Sequence, residues 1–505
     1  MLGSARTTTY FFLAILFFAA SLPAQQVSLT ILHTNDTHGH LLPFSYPADA
    51  PAGSQLAELK YRTNIGGIAR RATLVKKVRA ELAKDGIPVW LVDVGDFSDG
   101  TPFSTEYHGE ADAAAMSAAG YTFATLGNHE FNQPLARLKS IINMFQYPVL
   151  CANAVEKSTG RTLTPASKIQ TVGALKIGLF GLVTHEASDY PAAREGVAIL
   201  GEIETARRMV KELRSQVDII VVLSHCGEEF DKQLAAAVPD IDVIVGGHSH
   251  TRIPTPDLIS HTDELKVLDI NGTIIVQAHQ WGGELGRLDL LFVKDPTGAW
   301  HIDRYRERLL PITQDIPEDE KVASVVEKYW KPIALRYGEI IGKATADFAE
   351  RGDDLTNYNL VADAIRETFA TEIDFENMGG VRAPLLKGTI TRGDLIDMDP
   401  FDNTIVQFSI SGTQLKQILL RHHPAVSGIS YRIENGLLTK VTVGGKPVLD
   451  DHMYTASSNS YFARIALKGI EFKNTEKQRL DVLIDYVRKK GTVSPVFDGR
   501  RIIIS

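Results

Sequence analysis

Residues 121–134 read YTFATLGNHEFNQP, an apolar run that ends, behind a glycine, in an amide, an imidazole, a carboxylate and a second amide. The run has the length and the aromatic and β-branched content of a buried strand. A buried strand that stops in a cluster of polar side chains is delivering them to a site, so the question is whether other strands stop the same way.

They do. VSLTILHTND (27–36) ends at Asp36 with His38 just beyond it, PVWLVDVGD (88–96) ends at Asp96, and the opening stretch supplies Asn128 and His129. VDIIVVLSHCG (217–227) carries His225, and IDVIVGGHSH (241–250) carries His248 and His250. KIGLFGLVT (176–184), TIIVQA (273–278) and RLDLLFV (287–293) add further strands, and amphipathic stretches such as TARRMVKELRSQ (205–216) alternate with them. That alternation predicts an α/β domain over residues 27–312. A lone histidine is more often structural or surface than a ligand, and Asp after Gly is common in turns. Five strand ends carrying His, Asp or Asn beside glycines form a joint pattern, and it points to one compact ligand centre.

The residue types choose the chemistry. Imidazole with carboxylate suits Zn, Mn or Fe, whereas an all-oxygen set favours Ca or Mg. Asp36, His38, Asp96, Asn128, His225, His248 and His250 are too many ligands for one tetrahedral ion. They suit two divalent ions ~3.5–4 Å apart that share a bridging carboxylate, the arrangement that activates water in phosphoryl hydrolysis. Asp96 is the natural bridge.

The chain is 505 residues long, 44% hydrophobic and 23% charged, which is enough for two or three packed domains. A formal net charge of −8 gives no electrostatic reason to expect a nucleic-acid polymer or an anionic membrane as partner. MLGSARTTTYFFLAILFFAASLPAQQ (1–26) has one Arg and an apolar stretch from Tyr10 to Ala20, the pattern of a secretory signal cut after Ser21 or Ala24. Residues 1–24 are therefore read as a signal peptide, with a retained anchor as the rival, and the protein as exported to the periplasm or the medium. No later run is long and uncharged enough to anchor the chain. Cys151 and Cys226, the two cysteines, sit beside apolar strand-like runs and are read as buried free thiols.

PITQDIPEDEKVASVVEKYWKPIALRYG (311–338) changes the texture, with prolines and an acidic cluster leading into helix-like sequence. It reads as a helical linker over 313–340. Residues 341–505 mix helices such as NLVADAIRETFA and TQLKQILLRHH with strands such as TIVQFSIS and LTKVTVGG, a second domain of mixed α and β.

DTHG, GDF, GNHE, SHCG and GGHSH, in this order and followed by a separate C-terminal domain, resemble the metallophosphoesterase domain of the secreted 5'-nucleotidase family. The resemblance implies a four-layer α/β/β/α sandwich followed by a mixed α/β substrate-binding domain. It implies one metal on Asp36, His38, Asp96 and His250 and another on Asp96, Asn128, His225 and His248, with a metal-bound water as the attacking group. His129 takes the family role of stabilising the transition state and protonating the leaving oxygen. The family pattern GNHEFD places a carboxylate three residues after that histidine; here the residue is Asn132. An amide can orient an imidazole but lacks the charge that favours its protonated form, so weakened or pH-shifted catalysis is expected.

In the second domain the same resemblance implies substrate contacts from Arg351 in ERGDD, Asn377 and Arg382 in NMGGVR, and two base-stacking rings, Phe401 in DPFDNT and Tyr461 in SSNSYFAR, with Phe462 the rival if the register is off by one. Paired guanidinium donors suit an anionic substrate. The family's GGDGY-like segment is replaced by ARIALKGIEFKNTEK. The expected activity is removal of phosphate from nucleotides. A phosphodiesterase acting on UDP-sugars or cyclic nucleotides, and a nucleotide-binding module with lapsed catalysis, are the alternatives.

Overall fold

The computed structural model describes residues 25–48, 50, 54–254, 257–260, 272–351 and 353–504; the side chains of 257–260 and of Arg351 are outside that description. The signal peptide expected over 1–24 also lies outside the described residues.

Two sheets face each other in the first domain. One runs in the order Trp300–Pro311, Glu284–Lys294, Gln26–Thr34, Val89–Asp93, Phe123–Ala124. The other runs Asp257–Ser260, Gly272–Val276, Val243–Gly246, Ile219–His225, Leu175–Val183, Ser167–Val172. Their long apolar runs are explained by burial of both faces. Leu29, Ile31, Trp90, Val92, Val221 and Leu223 fill the space between the sheets. Residues of opposite parity face outward: Leu32 and Leu91 pack under the helices Ile68–Leu82 and Glu110–Ala119, and Ile220 and Val222 under Glu202–Leu213 and Glu228–Ala237. Helix, sheet, sheet and helix make the expected four layers.

The strands that matter for the site are parallel. Gln26–Thr34 pairs in parallel with Val89–Asp93, which pairs in parallel with Phe123–Ala124. Ile219–His225 lies parallel to both Leu175–Val183 and Val243–Gly246. Parallel strands end together, so Asp36, Asp96, Asn128, His225 and His248 emerge on one edge, where open α/β folds place their ligands.

The segment read as a linker is docked on the first domain. Val322, Val326 and Tyr329, on one face of the helix Glu320–Trp330, join the outer core that also holds Val75 and Met116. The second domain is built on a five-stranded sheet in the order Ala425–Ser427, Ile373–Glu376, Met453–Asn459, Thr404–Ser411, Phe472–Gln478. TIVQFSIS forms its predicted strand, and the helix Gly412–His422 follows from a capping box in which Ser411 and Gln414 satisfy each other's backbone amides. Cys151 and Cys226 are buried and unbridged. Among the described residues no helix is long and apolar enough to cross a membrane.

One buried carboxyl in the helical layer sets a pH dependence. Both oxygens of Asp112 are buried without a hydrogen-bond partner, and burial, with Asp93 nearby, pushes its carboxyl up to about 7. An unfolded Asp titrates near about 3.9, so between about 4 and 7 the folded state holds a proton that the unfolded state has lost. Stability from this group is therefore lost as pH rises through that window. Asp112→Asn is expected to raise the unfolding temperature relative to the parent at both pH values, by clearly more at pH 8 than at pH 5, where only part of the loss has accrued. A difference equal at both pH values would show that Asp112 is ionised throughout.

Candidate functional site

At the shared strand edge the backbone turns left-handed. φ is +50° at Asp36, +45° at His38, +52° at Asp96, +75° at His248 and +54° at His250. Non-glycine residues adopt this conformation at a cost of roughly 1–2 kcal/mol each, and strain collected in one place marks a functional centre. The reversal brings side chains from different strands back over one point. Glycines make room: a Cβ at Gly127 would stand 2.1 Å from Asp96 Oδ1, and one at Gly95 would stand 2.3 Å from the Gly127 nitrogen. Glu130 pins the turn from behind, its carboxylate accepting the backbone amides of Asp96 (2.9 Å) and Gly127 (2.7 Å).

Asp96 is the hub. Its Oδ1 accepts the His129 backbone amide at 2.9 Å, and its Oδ2 lies 3.1 Å from His225 Nε2, 3.8 Å from His38 Nε2 and 3.9 Å from His129 Nε2. Asp36 Oδ1 lies 3.3 Å from His250 Nε2, and His250 Nε2 lies 3.2 Å from His38 Nε2. Donor atoms of Asp36, His38 and His250 fall within 4.8 Å of one another, and so do those of Asp96, His225 and His248. A third set, His38, Asp96 and His129, joins the two.

The residues fit divalent ions. His225 donates Nδ1–H to the Val94 carbonyl at 2.6 Å, and its buried Nε2 has an ion-pair contact with Asp96 but no aligned hydrogen bond. Asn128 Oδ1 is likewise buried and without a partner, while its Nδ2 donates to the Tyr190 hydroxyl at 3.1 Å. Both are donor atoms of metal-ligating type, each oriented by a bond at the other end of its side chain. Burial, with Arg382 nearby, holds the His38 imidazole well below its usual range, so it is neutral. Its Nδ1–H donates to the Asp99 carbonyl at 3.0 Å, which leaves the Nε2 lone pair inward. Burial opposes charge on Asp96, but His225 and His129 outweigh it and hold the carboxyl well below the usual carboxylate range.

Around this centre stand residues from both domains. His129 Nδ1 lies 2.8 Å from Asp99 Oδ2, and Asn132 Nδ2 donates to that same oxygen. The imidazole thus has a carboxylate partner, supplied by position 99 where the sequence motif looks to position 132. Arg382 crosses from the second domain and donates from Nη2 to His38 Nε2 at 3.0 Å. The Phe401 ring lies 6.2 Å from the His129 ring and tilts 27° from it. Tyr461 is 38% exposed, beside the Arg464 guanidinium, whereas Phe462 is fully buried and stacked on Phe375, so of these two rings Tyr461 is the accessible one. Burial, with Glu186 and Asp189 of the first domain nearby, pushes the Tyr461 hydroxyl up. Asn377 accepts from Asn459 at 2.9 Å and is held within its own domain. The Arg351 side chain lies outside the described residues.

Several residues of the site carry no motif. Tyr190 tilts over His129 at 5.9 Å and holds Asn128. Arg479, fully buried, grips Asp399 through Nε at 2.8 Å, reaches Glu376, and donates to the Gly380 carbonyl at 2.6 Å. It thereby ties the loop holding Asn377 and Arg382 to the turn holding Phe401. Asp99 alone had a visible signal, since it stands three residues after Asp96 in DFSDG.

A four-layer sandwich with His, Asp and Asn donors gathered at parallel strand ends defines a metallophosphoesterase, a metal-dependent phosphoester hydrolase. The family model for calcineurin-like phosphoesterases matches residues 29–252, and that for the 5'-nucleotidase C-terminal domain matches residues 340–473. The 5'-nucleotidase of Vibrio vulnificus is 28% identical over 484 residues, covering 86% of this chain and 84% of that protein. The crystal structure of a 5'-nucleotidase precursor from Thermus thermophilus superposes with a TM-score of 0.82 at 26% identity, covering 94% of this chain and 99% of that one. The chain belongs to the 5'-nucleotidase family, with its metallophosphoesterase domain first and its 5'-nucleotidase domain second. The T. thermophilus sulfate thiohydrolase SoxB shares the fold, with a TM-score of 0.80 at 21% identity over 96% of this chain and 98% of that one.

The contact between Gly127 and Asp96 gives a direct test of the centre. Gly127→Ala is expected to displace the Asp96 carboxylate and weaken Mn or Zn binding at least about tenfold by calorimetric titration. Unchanged affinity would mean that the loop yields without moving Asp96.

Proposed function

We propose that the protein is an exported phosphohydrolase that uses two divalent ions, Zn, Mn or similar, to remove phosphate from nucleotides. The observation that carries this reading is the pair of donor sets, Asp36, His38 and His250 beside Asp96, His225 and His248, joined by a third that holds both His38 and Asp96 and faced across the domain boundary by Arg382 and Phe401. Asp36, His38, Asp96 and His250 would hold one ion; Asp96, Asn128, His225 and His248 would hold the other. When bound, the ions would polarise the phosphoryl oxygens and make water nucleophilic at neutral pH.

The protein's own groups supply the rest. Arg382 offers planar paired donors to the phosphoryl oxygens. His129 places Nε2 toward the centre, where it stabilises charge on the phosphoryl group and protonates the leaving oxygen. Phe401 and Tyr461 offer π-faces to a nucleobase, with Arg351 and Asn377 as further contacts to the nucleotide. Domain limits of 27–312 and 341–505 around a 313–340 connection follow the same reading. Export is supported by the N-terminal sequence and by the word precursor in the name of the Thermus relative.

Purified mature protein with Mn or Zn is expected to release phosphate from AMP, to lose that activity on chelation and regain it on metal addition. Asp96→Asn should abolish metal-dependent turnover, and activity that survives it would remove Asp96 from the bridging role. Faster turnover of UDP-glucose or a cyclic nucleotide than of AMP or an aryl phosphate identifies a diesterase. Tight nucleotide binding with no turnover identifies a lapsed enzyme.

A further inference from the structure

We propose that Asp99 and Asn132 act as a pair, in which Asp99 carries the carboxylate that positions His129 and Asn132 holds that carboxylate in place. The inference rests on the reading above, that His129 faces the reacting phosphoester.

Asp99 Oδ2 is 2.8 Å from His129 Nδ1, and the Asn132 side-chain amide donates to the same oxygen. The three groups thus make a short chain of amide, carboxylate and imidazole. An ionised carboxylate can only accept, so the imidazole carries its proton on Nδ1 and turns Nε2 toward the centre. Nε2 is the atom found 3.9 Å from Asp96 Oδ2. The ring has little freedom otherwise: the His38 ring stands edge-on to it at 4.9 Å and 88°, and the His129 backbone amide is bonded to Asp96.

Asp99 is itself built for this position. Its backbone is left-handed, with φ of +77°, which Asp tolerates better than most residues. Its amide donates to Ser104 Oγ at 2.8 Å. Its carbonyl accepts His38 Nδ1–H at 3.0 Å. One residue therefore fixes the tautomer of two imidazoles: through its carbonyl that of His38, and through its carboxylate that of His129. A residue that merely closed the DFSDG turn would have no reason to hold its carboxylate between an imidazole and an amide from a different strand end.

In the family pattern the carboxylate follows the histidine by three residues, at the position occupied here by Asn132. The carboxylate that the family pattern places at position 132 stands here at position 99. Asp99 is a positioning residue, and the loss of charge at position 132 is made good from position 99.

The test compares the parent protein with Asp99→Asn, Asn132→Asp and the double variant Asp99→Asn/Asn132→Asp. With Mn-loaded protein and AMP, Asp99→Asn is expected to lower kcat by about 10–100-fold with KM within about threefold and metal content unchanged. The double variant, which restores one carboxylate and one amide in the opposite order, is expected to recover most of that loss. Ring-nitrogen NMR of the metal-free proteins reads the positioning without turnover: the His129 signal, identified by its absence in His129→Gln, should report Nδ1–H in the parent, a mixture of tautomers in Asp99→Asn, and Nδ1–H again in the double variant. An unchanged kcat and an unchanged tautomer in Asp99→Asn overturn the proposal. So does a double variant that folds and binds metal yet recovers neither. A parent protein that hydrolyses none of the phosphoesters overturns the phosphohydrolase reading, while the NMR result still decides the positioning role.

Discussion

A carboxylate that must stay charged while buried organises the first domain's functional edge. Asp96 is 2% exposed, and taking a lone carboxylate that far from water is prohibitive unless opposite charge and hydrogen-bond donors surround it. The surroundings are three imidazoles within 4 Å and a backbone amide. They come from three different strand ends, so the sheets must deliver those ends to one edge and the turns must be tight enough to converge. Glycine at 95 and 127 is the steric consequence, left-handed backbone at the ligands is the conformational one, and Glu130 bracing the turn is the polar one. The strain at Asp36, His38 and Asp96 would unravel in isolation. It persists because two packed sheets leave the loops no other path.

Much of this was legible in the sequence because it repeats. Apolar strands covered on both faces read as unbroken runs, and ligands that follow such runs stand out against them. The α/β alternation and the gathering of Asp36, His38, Asp96, His225, His248 and His250 at one centre follow from that pattern, whereas the four layers were implied by the family resemblance. What could not be read was whatever depends on contact between distant segments. Asp99 was visible as a residue but not as the partner of His129, because the bond spans 30 positions and the motif directs attention to Asn132. Tyr190 and Arg479 sit in no motif and act through tertiary contacts alone. The helix Glu320–Trp330 looked like a connector because its prolines and acids announce a boundary, and only its buried face, Val322, Val326 and Tyr329, says where it belongs.

The recognition half follows a different logic from the catalytic half. Its loops carry few ligand-like residues, and their geometry is set from beneath by a single buried cation. Arg479 pairs with Asp399 and Glu376, and in doing so holds the Gly380 carbonyl between Asn377 and Arg382. The loops of the second domain that face the first domain's donor cluster are thus hung on a core separate from the strands that deliver Asp36, Asp96 and His225.

Docking of Glu320–Trp330 also sets the length of the leash between the halves. With that helix fixed to the first domain, the chain from Lys331 to Glu339 is all that joins it to the second domain's first strand at Ile340. A tether so short keeps Arg382 and Phe401 at an effective concentration of order millimolar or above with respect to the metal centre. Encounter between the two half-sites is then never diffusive. Arg382 beside His38 and Phe401 beside His129 therefore present both halves as one surface.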